Sequence, residues 1–229
     1  MMFRSLLGAS ACFVCLAPLP RVTPPPVPVL SPPPVKTVSF QQLSEVDQIT
    51  VVARALSPLL NAIADVEGGS QNLNAVNRGR AGDTPGGCLS VLGRNCTDMT
   101  VAEVIHAQRW SVFAVGAYQF VPTTLRSLVH LSGFDTSRRF DKVAQQELAV
   151  LNIKYMRPQA WAYVLGKPVS AHRAALAMAK EWASIGHPSD DRSYYAGGRG
   201  GNKAKISTTF VSATLSSVRG TLSQPQVIR

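Results

Sequence analysis

Histidine, cysteine and acidic side chains are all scarce in this chain. The four histidines, His106, His130, His172 and His187, are scattered and stand at no zinc-like spacing, so no metal is predicted and no cofactor is called for. Of the four cysteines, Cys12 and Cys15 lie in an N-terminal apolar stretch, which leaves only Cys88 and Cys96 further on. Thirteen acidic residues stand against 23 basic ones, a formal charge of +10. Arg4 and Arg21 are the only charged residues before Lys36, so the excess belongs to the chain beyond them. Such a surface suits an anionic partner: nucleic acid, phospholipid, or a bacterial envelope bearing carboxylates and phosphates. The basic residues are dispersed and no DNA- or RNA-binding motif appears, which argues against nucleic acid. No internal repeat is visible.

The N-terminus narrows the compartment. Met1-Met2-Phe3-Arg4 is a brief positive region, and Ser5 to Ala17 is apolar and rich in small residues. That stretch is too short for a comfortable membrane span, and residues 1–19 read as an export signal. Ala9-Ser10-Ala11 offers a cleavage site, while Ala9-Ser10-Ala11-Cys12 loosely matches a lipoprotein signal. Cleavage, retention as an anchor and lipidation therefore stand as alternatives, and all three place the chain in the periplasm or cell envelope. Pro20 to Pro34 contains Pro24-Pro25-Pro26 and Pro32-Pro33-Pro34, the composition of a stiff polyproline II spacer. Residues 20–40 are read as this linker and 41–229 as the folded domain. With 45% hydrophobic residues the chain has enough apolar material for one substantial core. In an oxidising compartment Cys88 and Cys96, eight apart among Gly86, Gly87 and Gly93, are expected to form a disulfide closing a hairpin-like loop.

Most of the domain reads as helix. Ile49, Val52, Leu56, Leu59, Leu60, Ile63 and Val66 recur at three- and four-residue steps. Pro58 either kinks that helix or starts a new one with Ser57 as N-cap. Thr100-Val101-Ala102-Glu103 is a capping box opening a helix to about Arg109. Pro122 opens another, with Leu125, Leu128, Val129 and Leu131 toward the core and Gly133 as its stop. Phe140 to Tyr155 is amphipathic, with Val143, Leu148, Leu151 and Ile153 as core positions. Trp161 to Leu165 adds a short piece, and Ser170 to Ile185 is rich in alanine. The glycine-rich, polar stretch Asn72 to Asn95 is the natural place for a small hairpin region.

Two segments carry chemistry. Glu67 ends the first apolar pattern, just before Gly68 and Gly69, which supply its C-terminal stop. The negative end of the helix dipole lies there and disfavours an ionised carboxylate. A glycosidase needs a protonated carboxylic acid to assist the leaving oxygen. The second segment, Gly116-Ala117-Tyr118-Gln119, reads as a turn leading into the helix that starts at Pro122.

These segments, in order, resemble the lambda-type phage endolysins and related exported muramidases of the lysozyme superfamily. Glu67 with its two glycines resembles their catalytic Glu-Gly, and Met99 to Val104 a helix opening seen in exported members. Gly116 to Leu125 resembles their Gly-Arg-Tyr-Gln motif and the helix after it. Glu181-Trp182-Ala183-Ser184-Ile185 resembles a late Trp-Ala-Ser motif. Ser193 to Gly197, then Gly200 to Ala204, resembles the last loop before a closing helix. The likeness covers about Leu59 to Val218. Ala117 departs from it, standing where the family usually has arginine, which puts substrate affinity and subsite preference in question.

The resemblance implies a mainly α fold (α+β, lysozyme-like): a helical domain with a small β-hairpin region beside a cleft. It implies peptidoglycan glycan strands as the partner and Glu67 as the acid between N-acetylmuramic acid and N-acetylglucosamine. Tyr118 and Gln119 would line the cleft, with the Gln amide meeting an N-acetyl group or Glu67, and Tyr194 or Tyr195 would pack on a sugar face. Asp83 is the candidate second carboxylate. If it does not reach the cleft, the resemblance favours lytic transglycosylation, with hydrolysis the close alternative. A sugar-binding or virion-structural module without turnover is the non-enzymatic alternative, with Ala117 as its one support.

Overall fold

The computed structural model describes residues 36–79, 83–197 and 202–228, with nine α-helices and two short antiparallel strand pairs among them. The export signal, the proline-rich run to Pro34, Gly200 and Gly201 lie outside the described residues. The chain is mainly α with a small β region, as expected.

The first apolar pattern splits in two. Helix α1 (Glu45–Ala55) is capped by Ser44, whose hydroxyl accepts from Asp47 N at 3.1 Å. Helix α2 (Ser57–Glu67) leaves α1 at 72°. Pro58 lies in its first turn, where a missing N–H costs nothing, and the N-cap is Leu56 rather than Ser57. Leu59, Leu60 and Ile63 are completely buried, so the bend wraps one apolar stripe around the core. Among the described residues no single helix is long and apolar enough to cross a membrane.

A 3-10 turn, Gly69–Asn74, continues from α2. Strand β2 (Val76–Asn77) then pairs antiparallel with β3 (Ala114–Val115), with Val76 opposite Val115. The β region is therefore assembled from segments almost forty residues apart instead of folding wholly within Asn72–Asn95. Within that stretch lies helix α3 (Gly87–Leu92), which its disulfide to Cys96 pins against the 3-10 turn Cys96–Asp98. The two Cα atoms are 5.6 Å apart, ordinary disulfide spacing. The disulfide thus closes a helical loop, not a hairpin.

Helix α4 (Val101–Ala107) starts at the expected capping box: Glu103 N donates to the Thr100 hydroxyl at 3.2 Å, and Thr100 N to the Glu103 carboxylate at 2.7 Å. Helix α5 (Pro122–Ser132) buries Leu125 and Leu128 but leaves Leu131 half exposed. Helix α6 (Lys142–Met156) is buried on all sides from Leu148 to Ile153, while Val143 near its start faces out. It is the central helix, packed against α1, α5 and α7 (Pro158–Val164). Helices α8 (Ala171–Ala179) and α9 (Thr208–Leu222) pack with α7 and complete the helical layer.

The folded part starts ahead of Gln41. Strand β1 (Lys36–Val38) pairs antiparallel with β4 (Gln226–Ile228), and Phe40 is buried against the core. The boundary expected at Gln41 therefore moves back at least to Lys36. Three residues of strand pairing across the whole chain leave no local pattern to read.

Candidate active site

Glu67 is the last residue of α2, and its position depends on the glycine behind it. A Cβ on Gly68 would meet Ala64 O at 2.7 Å and Asn72 Cα at 2.8 Å, so only glycine lets the helix pass straight into the 3-10 turn. The partly buried Glu67 carboxylate accepts a hydrogen bond at 3.0 Å from the backbone N–H of Ser184, 117 residues away. The segment after α8 therefore fixes the carboxylate from across the molecule.

Two cavities meet at Glu67. One, about 410 Å³, is lined by Tyr118, Gln119, Asn152, Glu181 and Tyr195 among others. The other, about 380 Å³, is lined by Gly69, Gln71, Asp83 and Thr84. Glu67 lies on both walls, so the two halves form a groove with this carboxylate at their junction.

The turn expected at Gly116–Gln119 is a tight hairpin. Val115 and Phe120 exchange both backbone hydrogen bonds, at 3.2 and 2.9 Å, and Gly116 and Gln119 both have positive φ. At Gly116 (φ 79°) a Cβ would lie 2.5 Å from the Gln145 side-chain oxygen. Gln145, fully buried on α6, accepts from Ala117 N at 2.8 Å and donates to Phe140 O and Leu73 O at 2.9 and 3.0 Å. One amide thereby joins the hairpin turn, the 3-10 turn behind Glu67 and the start of α6.

The expected site residues separate on this frame. Tyr118 lies on the groove wall but is buried, its ring 5.9 Å from that of Phe120, and burial pushes its phenol far above the ordinary value. Gln119 lines the groove, yet its amide N–H2 donates to Gly116 O at 2.9 Å. The amide stiffens its own turn instead of bonding Glu67. Tyr195 lines the groove with its hydroxyl donated to Lys180 O at 2.8 Å; Tyr194 does not, and stacks on His187 at 6.1 Å. Asp83 shares a cavity wall with Glu67 and accepts from Asn77 Nδ2 at 2.9 Å. Ala117 is completely buried and lines neither cavity, so the side chain at this position does not face the groove. Trp182 is buried, and its indole N–H donates to Tyr118 O at 3.3 Å, clamping the hairpin to the segment after α8.

Sequence reasoning gave no role to the second carboxylate in this half of the groove. Glu181 accepts from Asn152 Nδ2 at 2.6 Å and pairs with Arg157 Nη2 at 2.7 Å. Burial raises its pKa; the bonds from Asn152 and Arg157 oppose that rise, and the charge of Glu67 adds to it. The only signal in the sequence was its place beside Trp182. Nothing local ties it to Asn152 or Arg157.

No family model, no curated protein and no solved structure matches this chain. The likeness to exported muramidases rests on the motifs quoted above.

Proposed function

We propose that this chain cleaves the glycan strand of peptidoglycan between N-acetylmuramic acid and N-acetylglucosamine, with Glu67 as acid and then base. One observation carries the reading: Glu67 lines both groove halves, and its carboxylate is held by a backbone N–H from a distant segment. A polymer threaded through both halves puts a bond between two sugars where the halves meet.

In the lytic transglycosylase form, protonated Glu67 gives its proton to the glycosidic oxygen and the C1–O bond breaks, releasing N-acetylglucosamine with a free hydroxyl. The resulting carboxylate takes the proton of the muramic C6 hydroxyl, whose oxygen bonds to C1. A 1,6-anhydro sugar forms, Glu67 regains its proton, and no water is consumed. Glu181 is held by Arg157 and Asn152, which suits a fixed structural charge better than a proton carrier.

Hydrolysis is the second reading, and Asp83 favours it. Because Asp83 shares a cavity wall with Glu67, a water held there can be activated on the far side of the sugar. Digestion of peptidoglycan by the full chain, followed by mass spectrometry of released muropeptides, tests both forms. Anhydro-muramic ends that disappear in Glu67→Gln support transglycosylation, with release falling by about 10²–10⁴-fold. Reducing muramic ends lost in both Glu67→Gln and Asp83→Asn mean hydrolysis. No release by the unaltered chain overturns the enzyme reading.

A further inference from the structure

The groove does not end at Glu181. A third cavity, about 420 Å³, shares Met156, Arg157 and Lys180 with the Tyr118 half and extends past them to Gln159, Arg173 and Leu176. Its wall carries three cations. Arg157 is neutralised by Glu181, and its other contacts are the backbone oxygens of Met156 and Lys180. Arg173 and Lys180 are exposed and have no carboxylate within ion-pair distance among the described residues. Lys180 is instead steered by aromatic contact, its ammonium 5.4 Å from the Tyr194 ring centre. Leu176, Ala177 and Pro158 add an apolar strip beside these charges.

We propose that this outer cavity binds a free carboxylate of the peptide stem that hangs from muramic acid. The inference rests on the glycan-cleaving reading and names the part of the substrate that reading leaves unplaced. Neutral N-acetylglucosamine has nothing to offer two uncompensated cations. A short peptide with carboxylates and alanine methyl groups matches both the charges and the apolar strip. Its attachment to every second sugar brings a stem alongside a groove that is continuous with the cavity. Tyr194, which does not line the groove itself, gains a role here: it holds the Lys180 ammonium at the mouth.

The test is binding of the soluble stem pentapeptide to the full chain, followed by NMR or calorimetry, beside the same peptide with its carboxylates amidated. The acid form is expected to bind more tightly, to weaken with added salt, and to lose roughly fivefold or more in the Arg173→Gln, Lys180→Gln double variant. Unchanged melting of that variant shows that the loss is not unfolding. Equal binding of the amidated peptide, or full binding by the double variant, overturns the proposal. Tighter binding of glycerol phosphate, a mimic of phosphate-bearing wall polymers, overturns the peptide assignment as well. Stem binding without glycan cleavage by the unaltered chain overturns the enzyme reading alone; cleavage without stem binding overturns only the carboxylate site.

Discussion

Gln145 is the residue on which the groove's shape depends most. It lines neither half of the groove, yet its amide touches the turn that carries Tyr118, the 3-10 turn that follows Glu67, and the entry to α6. Gln145→Leu keeps the volume but leaves a buried N–H and two carbonyls unpaired. Chemical denaturation should show a loss of about 3 kcal/mol, with cleavage falling alongside. Gly116→Ala attacks the same joint from the other side, because the added methyl would collide with the Gln145 oxygen and the backbone has φ 79°. It should cost about 1–3 kcal/mol by thermal melting. If either variant melts like the unaltered protein, the hub assignment is wrong.

Among the elements, α4 carries the clearest electrostatic signature. Glu103 is held at about 2, first by its hydrogen bond to Arg94 and then by those to Thr100. Its folded value lies below its unfolded one, so the folded state holds fewer protons on this group and is favoured as pH rises. That contribution is complete above the ordinary glutamate range and disappears as pH falls toward 2. Glu181 has the opposite sign: burial raises its folded value, so its protonation favours the fold at lower pH and the advantage is lost as pH rises through the raised value. Glu103→Gln should therefore flatten the fall in stability between about pH 4.5 and 2, measured as melting temperature against pH. An unchanged acid limb would remove Glu103 as its source. The N-terminus of α4 is the element at stake, since the carboxylate that pairs with Arg94 also accepts from the Thr100 N–H in the capping box.

For the fold as a whole, the pairing of its first and last strands matters more than the charge pattern suggests. β1 and β4 pair the two ends of the fold, and Phe40 fills the core beside them. Removing residues 1–40 deletes β1 and Phe40 and leaves β4 unpaired, and the melting temperature should fall by roughly 6–15 °C relative to the full chain. A truncated chain that melts at the same temperature would show that the terminal strands are dispensable. The Cys88–Cys96 disulfide tightens the loop after α3, and reducing it should cost about 2–3 kcal/mol.

What could be read directly was whatever lies within about one helical turn. The Thr100–Glu103 box, the proline starts at Pro58 and Pro122, the break after Glu67 and the Gly116–Gln119 turn are all set by neighbours three or four residues apart. There, side-chain type and spacing decide which backbone groups are satisfied. The helical stripe of α2 was legible for the same reason. Leu131 and Val143 fit the period yet face outward, because period marks a face and only packing decides how much of it is covered. Tertiary structure alone brought Ser184 to Glu67, Arg157 and Asn152 to Glu181, Gln145 to three backbone segments, and β1 to β4. Apart from the Gln145–Phe140 bond, which spans five residues, each of these joins partners 24 to 192 residues apart. Their formation depends on the whole chain closing around a buried α6, a condition that no window of sequence contains.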